Sequence, residues 1–385
     1  MSFVESEERL ALRAAVADLA GRFGPKYLHE KAVAHEPPLE LWAEAGKAGF
    51  IGVNLPIEYG GGGAGIYELA LVQEELGARG CPLLMLVVTP AICGTIISRF
   101  GTEEQKQRWL PGICDGSTIM SFAITEPDAG SNSHRITTTA RRDGEEWVLS
   151  GQKVYISGID SAEAVLVVSR TTDEKTGKLK PALFIVPTDA PGFTATRIPM
   201  DLHMADSQFS LFFDDVHLPA DALVGKEDGA LMQLFAGLNP ERIMAASIAT
   251  GMSRYALGKA KKYVNERQVW GQPIGAHQAI AHPLATAHIE MELARLMMQK
   301  AATLYDLGDD MGAGEAANMA KYASAEASVK AVDAAIQSHG GNGFASEYGL
   351  AILLASSRLS RVAPVSREMV LNFVAQHSLG LPKSY

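Results

Sequence analysis

Ile119-Met120-Ser121-Phe122-Ala123-Ile124-Thr125-Glu126-Pro127-Asp128-Ala129-Gly130-Ser131 marks the point at which this 385-residue chain changes texture. Upstream, from Glu5 to about Gly116, apolar residues recur at spacings of three and four: Leu10, Leu12, Val16, Leu19 and Phe23, then Leu39 to Ala48, then Tyr67 to Leu76. That spacing places them on one face of successive helices. The quoted stretch instead opens a series of short β-rich runs: Ile119 to Thr125, Ile136 to Arg142, Trp147 to Ser150, Val154 to Ser157, Val165 to Ser169, Leu183 to Val186 and Phe209 to Phe213. Turn residues separate them, and Asp143-Gly144 is a hairpin signal. From Leu231 onward, Ala-rich segments at 231–266, 279–307, 313–338 and 347–374 predict four long helices joined by Gly-containing loops, the pattern of an antiparallel bundle. The expected fold is α+β and multidomain: an N-terminal α-helical domain (1–117), a middle antiparallel β domain (118–225) and a C-terminal four-helix bundle (226–385).

Composition narrows the function. Apolar residues make up 47% of the chain and charged residues 20%, which excludes a disordered chain. A net charge of −10 with no Lys/Arg-rich tract argues against nucleic acid and anionic membranes as partners, so an anionic ligand must be caught by a local pocket. Cys81, Cys93 and Cys114 offer no metal spacing and no disulfide framework, and read as reduced core thiols. Glu5, Glu7 and Glu8 stand where a targeting peptide would be basic or poor in acids, so a cytoplasmic location is expected. The uncharged stretch between Arg79 and Arg99 is interrupted by Pro82, Pro90 and Gly94 and reads as buried helix, with no membrane span. The glycine-rich Glu58 to Gly65 satisfies a G-x-G-x-x-G pattern, but the strand and the downstream acid of a dinucleotide site are missing, and a flexible helix connection is expected.

Hydrolase and P-loop signatures are absent, and the ten histidines are scattered with no ligand set for a metal. Four loops at the expected domain junctions stand out. Ala123 to Ser131 carries hydroxyls and turn amides able to donate to a flat ring or a phosphate. In Gly151 to Gly158, strand alternation puts Tyr155 and Ser157 on one side. Glu266 to Gly275 supplies Arg267 for a pyrophosphate and Trp270 for stacking. Gln337 to Phe344 has glycines that let backbone approach a ligand closely.

The α, β, α order together with these four loops resembles the acyl-CoA dehydrogenase family along essentially the whole chain. The family's T-E-P-x-x-G-S loop is matched at Thr125 to Ser131, its aromatic-I-[TS] strand at Tyr155 to Ser157, its E-R-x-x-[FW]-G helix end at Glu266 to Gly271 and its G-G-x-G loop at Gly340 to Gly343. The resemblance implies FAD. By matched position, Thr125, Ser131, Tyr155 and Ser157 would hold the flavin from one subunit. Arg267, Trp270, Gln278, Gln337 and Gly341 would hold its pyrophosphate and adenosine end from a neighbour, and Ser366 and Glu368 would also contact the cofactor. It further implies a homodimer or homotetramer, an acyl-CoA substrate and reoxidation by an electron-transferring flavoprotein.

The family's reaction removes an α-proton from an acyl thioester by a carboxylate while the β-hydrogen leaves as hydride. Most members carry that carboxylate in a Y-E-G-T-like loop near the C-terminus. Here the segment reads Arg361 to Met369 and the matched position is Pro364, which also lacks the N–H that helps polarise the thioester carbonyl. A second location, as in isovaleryl-CoA and long-chain relatives, is an L-x-x-E-R segment, matched by Leu238-Asn239-Pro240-Glu241-Arg242. The resemblance therefore implies Glu241 as base, with Leu238, Arg242 and Ser131 on the substrate side. The same residues also read as an ordinary helix start, with Asn capping, Pro in the first turn and Glu at the positive end. Met204 to Ser207 departs from the family's Arg and Ser-Asp-Thr, and Pro364 leaves open an enoyl-thioester reductase, an oxidase, an enzyme of carrier-bound acyl groups or a silent FAD-binding subunit.

Overall fold

The computed structural model describes residues 4–172, 176–226 and 230–383. Helix α1 (Glu7–Ala34) starts on Ser6, whose side chain accepts from Arg9 N–H, and is kinked where Gly24 at φ 74° precedes Pro25. Helices α2 (Leu39–Lys47) and α3 (Ile66–Ala78) follow. The expected flexible glycine loop before α3 is a pinned one. Gly62, Gly63 and Ala64 N–H groups donate to Gly52, Leu55 and Val53 carbonyls at 2.8 to 3.0 Å. A Cβ on Gly61 would lie 2.2 Å from the Leu55 carbonyl oxygen, so glycine is there for close approach.

The uncharged stretch is buried as expected, but its middle, Val87–Gly94, is π-helical around Pro90. Its Thr89 hydroxyl and Cys93 thiol face the Met120 and Ser121 carbonyls, tying it to the first strand. Among the described residues no helix is long and apolar enough to cross a membrane. Helices α4 (Thr95–Phe100) and α5 (Glu103–Asp115) complete the first unit, α5 beginning with a Thr102/Gln105 capping box.

The middle unit is a seven-stranded sheet: β1 (Met120–Ala123), β2 (Thr139–Asp143), β3 (Glu146–Ser157), β4 (Ala164–Thr172), β5 (Leu179–Pro187), β6 (Phe193–Ile198) and β7 (Gln208–Leu218). The order is β1-β4-β2-β3-β7-β6, with β5 on β4. Pairing is antiparallel except along β1–β4 and at one β2–β4 position, which are parallel. Alternation decides the two faces. Leu166 and Val168 of β4 join the core of the N-terminal helices, while Val165 and Val167 pack with Trp147, Phe184 and Phe213 on the opposite face. Strand β6 escapes the sequence pattern because its residues are mostly exposed.

The C-terminal unit contains α6 (Ala230–Glu266), α7 (Gln278–Asp306) and α8 (Asp310–His339). The fourth long helix is not formed: α9 (Leu353–Leu359) and α10 (Arg367–Phe373) are separate. Pro364 cannot continue a helix, and Ser366 starts the next one by accepting from Met369 N–H at 3.3 Å. Small residues bring helix axes close. Gly77 of α3 meets Gly251 of α6 so tightly that a Cβ on Gly251 would lie 2.6 Å from the Glu74 carbonyl oxygen.

Candidate functional site

The Asn239-Pro240-Glu241 tripeptide lies ten residues inside α6 and starts no helix. Pro240 has no N–H to give to the Ala236 carbonyl four residues back. The Tyr305 hydroxyl of α7 takes that place, donating to Ala236 O at 2.8 Å. Asn239 is buried and its Nδ2 donates to Asp310 O at 3.3 Å, binding α6 to the start of α8 in place of a capping role.

Glu241 is partly buried, and desolvation pushes its pKa up to about 7 against the opposing charges of Arg242 and Lys321. Arg242 is buried. It donates to Leu238 O at 3.1 Å and Asn239 Oδ1 at 3.4 Å, while its Nε is buried with no partner among the described residues. Lys321, on α8, is 2% exposed. Its Nζ donates to the Val365 carbonyl. Burial, helped by Arg242, brings its pKa down to about 8 in spite of Glu241, Glu368 and Glu326 nearby. Glu326 also holds Arg361 at 2.6 Å and Arg367 at 3.5 Å. The segment carrying Pro364, Ser366 and Glu368 is therefore docked on α8 beside Glu241. The Ser366 hydroxyl is occupied as a helix cap, and the Glu368 side chain is largely exposed. Sequence reasoning missed Lys321. Its signal is position: it falls on the small-residue stripe Ala317, Ala320, Ser324, Ser328, all buried.

A second cluster lies at the edge of the sheet. Val154 N–H donates to Thr125 O at 3.0 Å, joining the Thr125 loop to β3. Tyr155 sits at φ 58° beside a register shift between Lys153 and Ile156, and the residue is 60% exposed. The Ser157 hydroxyl accepts from Gln208 Nε2 at 2.9 Å, and Ser131 is exposed. Next to them, Ser207 Oγ accepts from Arg197 Nη2 at 2.5 Å, and that guanidinium also donates to His35 O at 3.1 Å. Asp206 is buried, its pKa raised to about 7 by burial and by Asp160.

A third cluster lies at the far end of the bundle. Arg267 is exposed and has no carboxylate partner among the described residues. Trp270 is 87% exposed at φ 53°, its ring 5.6 Å from His277. Gln278 opens α7, Gln337 is exposed on the last turn of α8, and Gly341 follows in the glycine loop. Among the described residues no hydrogen bond, ion pair or ring contact joins this cluster to the sheet-edge one. Two large aromatics held outward on strained backbone, hydroxyls, and a cation lacking an acid partner are a donor set suited to a flat ring bearing a pyrophosphate.

Comparison with known proteins identifies the family of the chain. The acyl-CoA dehydrogenase N-terminal, middle and C-terminal domains match residues 6–117, 121–216 and 229–379. The chain is 68% identical over 384 residues, 100% of its length and 99% of the relative's, to acyl-CoA dehydrogenase FadE12 of Mycobacterium tuberculosis. It superposes with TM-score 0.95 at 29% identity on a glutaryl-coenzyme A dehydrogenase in complex with glutaryl-CoA, covering 100% of this chain and 98% of that one. The glutaryl-CoA dehydrogenase of Mycobacterium smegmatis in complex with FADH2 gives TM-score 0.90 at 26% identity, covering 99% and 96%.

Proposed function

Because the chain belongs to the acyl-CoA dehydrogenase family, oxidoreductases acting on CH–CH donors, we propose that it binds FAD and dehydrogenates an acyl-CoA thioester to the 2-enoyl-CoA, with Glu241 as the base. The observation that carries this reading is a single carboxylate set in the interior of α6, its pKa raised by burial to about 7, on the side of the bundle where the Pro364 segment docks. A base of that pKa is ionised in a useful fraction near neutral pH and still strong enough to take a weakly acidic C–H proton. The sheet-edge and bundle-end clusters fit FAD, and the FADH2 complex of the M. smegmatis relative supports the same cofactor. When bound, the flavin supplies the acceptor for the β-hydrogen as hydride.

This chain's own groups do the rest. Glu241 takes the α-proton onto its carboxylate. Arg242 and Lys321 hold positive charge beside it, which favours the ionised form before the substrate arrives. Thr125, Ser131, Tyr155 and Ser157 orient the ring; Arg267, Trp270, Gln278, Gln337 and Gly341 grip the other end; Ser366 and Glu368, on the docked segment, would also contact the cofactor. Leu238, about one turn before the base, and Arg242, the residue after it, line the substrate side. The separation of the two cofactor clusters favours a homodimer or homotetramer in which each subunit supplies one of them, and an electron-transferring flavoprotein is the proposed acceptor.

The test is anaerobic. Purified flavoprotein mixed with acyl-CoAs of different length and branching should bleach with its preferred thioester. Glu241→Gln should keep its flavin and fail to bleach; bleaching at the native rate would overturn the assignment. Pro364 favours a second reading, since that position has no N–H for the thioester carbonyl. A yellow wild-type protein that no thioester bleaches would point to that silent or altered chemistry, and flavin-dependent oxygen uptake without an added acceptor would mark an oxidase.

A further inference from the structure

Lys153 and Glu126 form an ion pair that the proposed chemistry leaves unused. Lys153 is 0% exposed and Glu126 4%. Lys153 Nζ donates to Glu126 Oε1 at 2.9 Å and to Ile124 O at 3.0 Å. Oε1 also accepts from Thr138 N–H at 2.9 Å, while Oε2 accepts from Thr137 N–H at 2.5 Å and from its hydroxyl at 2.8 Å. Glu126 closes its own turn through backbone bonds with Ala129 in both directions. The carboxylate thus ties three chain segments together: the Thr125 loop, the lead into β2, and β3.

The geometry on β3 shows what this does. In a regular strand residues two apart share a face, so a fully buried Lys153 would carry Tyr155 inward with it. Instead the register shifts between Lys153 and Ile156, and Tyr155 turns to positive φ and faces outward. A lysine anchored inside by Glu126 accounts for the bulge and for the aromatic ring it presents. Stability alone does not call for the pair, because packed apolar residues of the same volume often stabilise a core as well.

We propose that the buried Lys153–Glu126 pair is a positioning device that clamps the Thr125–Ser131 loop and the Tyr155–Ser157 strand end into one wall against the flavin. The proposal rests on the FAD reading and deepens it. Glu126 fixes the loop with four directed side-chain bonds to Thr137, Thr138 and Lys153, and Lys153 sets the bulge, so both would act through the residues they hold.

The test uses the holoprotein and reads flavin release by recovery of flavin fluorescence on dilution, the visible flavin bands, and melting in saturating FAD. The double variant Glu126→Gln/Lys153→Met leaves no buried charge unpaired and should melt cooperatively, yet release FAD at least roughly tenfold more readily, with displaced visible bands. Lys153→Arg, which keeps the charge, should recover part of the affinity. If the double variant does not fold, Glu126→Asp keeps both charges and shortens the clamp by one methylene, and it should show the same loosening. Folded variants with native flavin affinity and native bands would overturn the inference while leaving the FAD reading in place. A wild-type protein that binds no FAD would overturn both.

Discussion

The proposed base owes its acidity to what surrounds it. Burial raises the Glu241 pKa to about 7, and Arg242 and Lys321 keep it from rising further. Removing the lysine charge therefore raises it. Lys321→Met should move the acid limb of the pH–rate profile to higher pH, because the carboxyl must be ionised to accept a proton and less of it is ionised at a given pH. The groups facing the pair are Arg242 on α6, Glu326 on α8, and Arg361, Arg367 and Glu368 on the docked segment. An acid limb that stays in place in a folded Lys321→Met protein would show that the ammonium does not act on Glu241. Lys321→Arg should keep the native profile more closely than Lys321→Met.

Helix α6 shows how one element tolerates a proline in its interior, next to the proposed base. Pro240 interrupts the ladder just before Glu241, and the freed Ala236 carbonyl is satisfied from α7 by Tyr305. Tyr305→Phe in the native background strands that carbonyl and should cost about 1–3 kcal/mol, the usual penalty for a buried unmade hydrogen bond. In a Pro240→Ala background the restored N–H can serve the same carbonyl, so Tyr305→Phe should cost clearly less. Chemical denaturation of the four proteins measures the cycle; equal costs in both backgrounds would mean that Tyr305 acts through packing or through its contact with Arg99 at 3.1 Å.

Across the whole molecule, one ionic network joins the first and last units. Arg13 of α1 meets Glu5 at 2.7 Å, Glu74 at 2.7 Å and Glu75 at 3.2 Å; Arg254 of α6 and Arg295 of α7 converge on the same carboxylates of α3. Glu74 is fully buried, so taking away a partner leaves charge uncompensated. Arg13→Met should lose about 3–5 kcal/mol in urea unfolding; a loss below 1 kcal/mol would mean that Arg254 and Arg295 suffice. On the outer face of the bundle, Ile289, Leu293, Leu296 and Leu371 are exposed at 42% or more, next to an apolar groove of about 470 Å³ that Leu293, Met297, Tyr322 and Val374 help to line. An exposed apolar face of this kind would suit a contact with a second copy in the proposed oligomer. Leu293→Lys should shift sedimentation toward a smaller species, and an unchanged species would remove this face from the assembly.

The α, β, α order was readable because apolar spacing switches from three-and-four to two and back, and periodicity is local information. The family resemblance carried by the four loops was equally readable, since motif and spacing lie along the chain. The broken fourth helix, exposed β6 and the pinned glycine loop were not, because caps, edges and close backbone contacts depend on what lies opposite. The same holds for the site. Asn239-Pro240-Glu241 written out is a respectable helix start; only the packing of α6 against α7 and α8 shows it to be mid-helix, with Tyr305 making good the missing bond. Lys321 and the Lys153–Glu126 pair look like solvated charges in the sequence and are buried in the fold. Which residues carry chemistry is a matter of side-chain type; whether a charge is desolvated, paired or aimed is a property of three-dimensional neighbours brought together from 27 and 80 residues away, which no stretch of sequence contains.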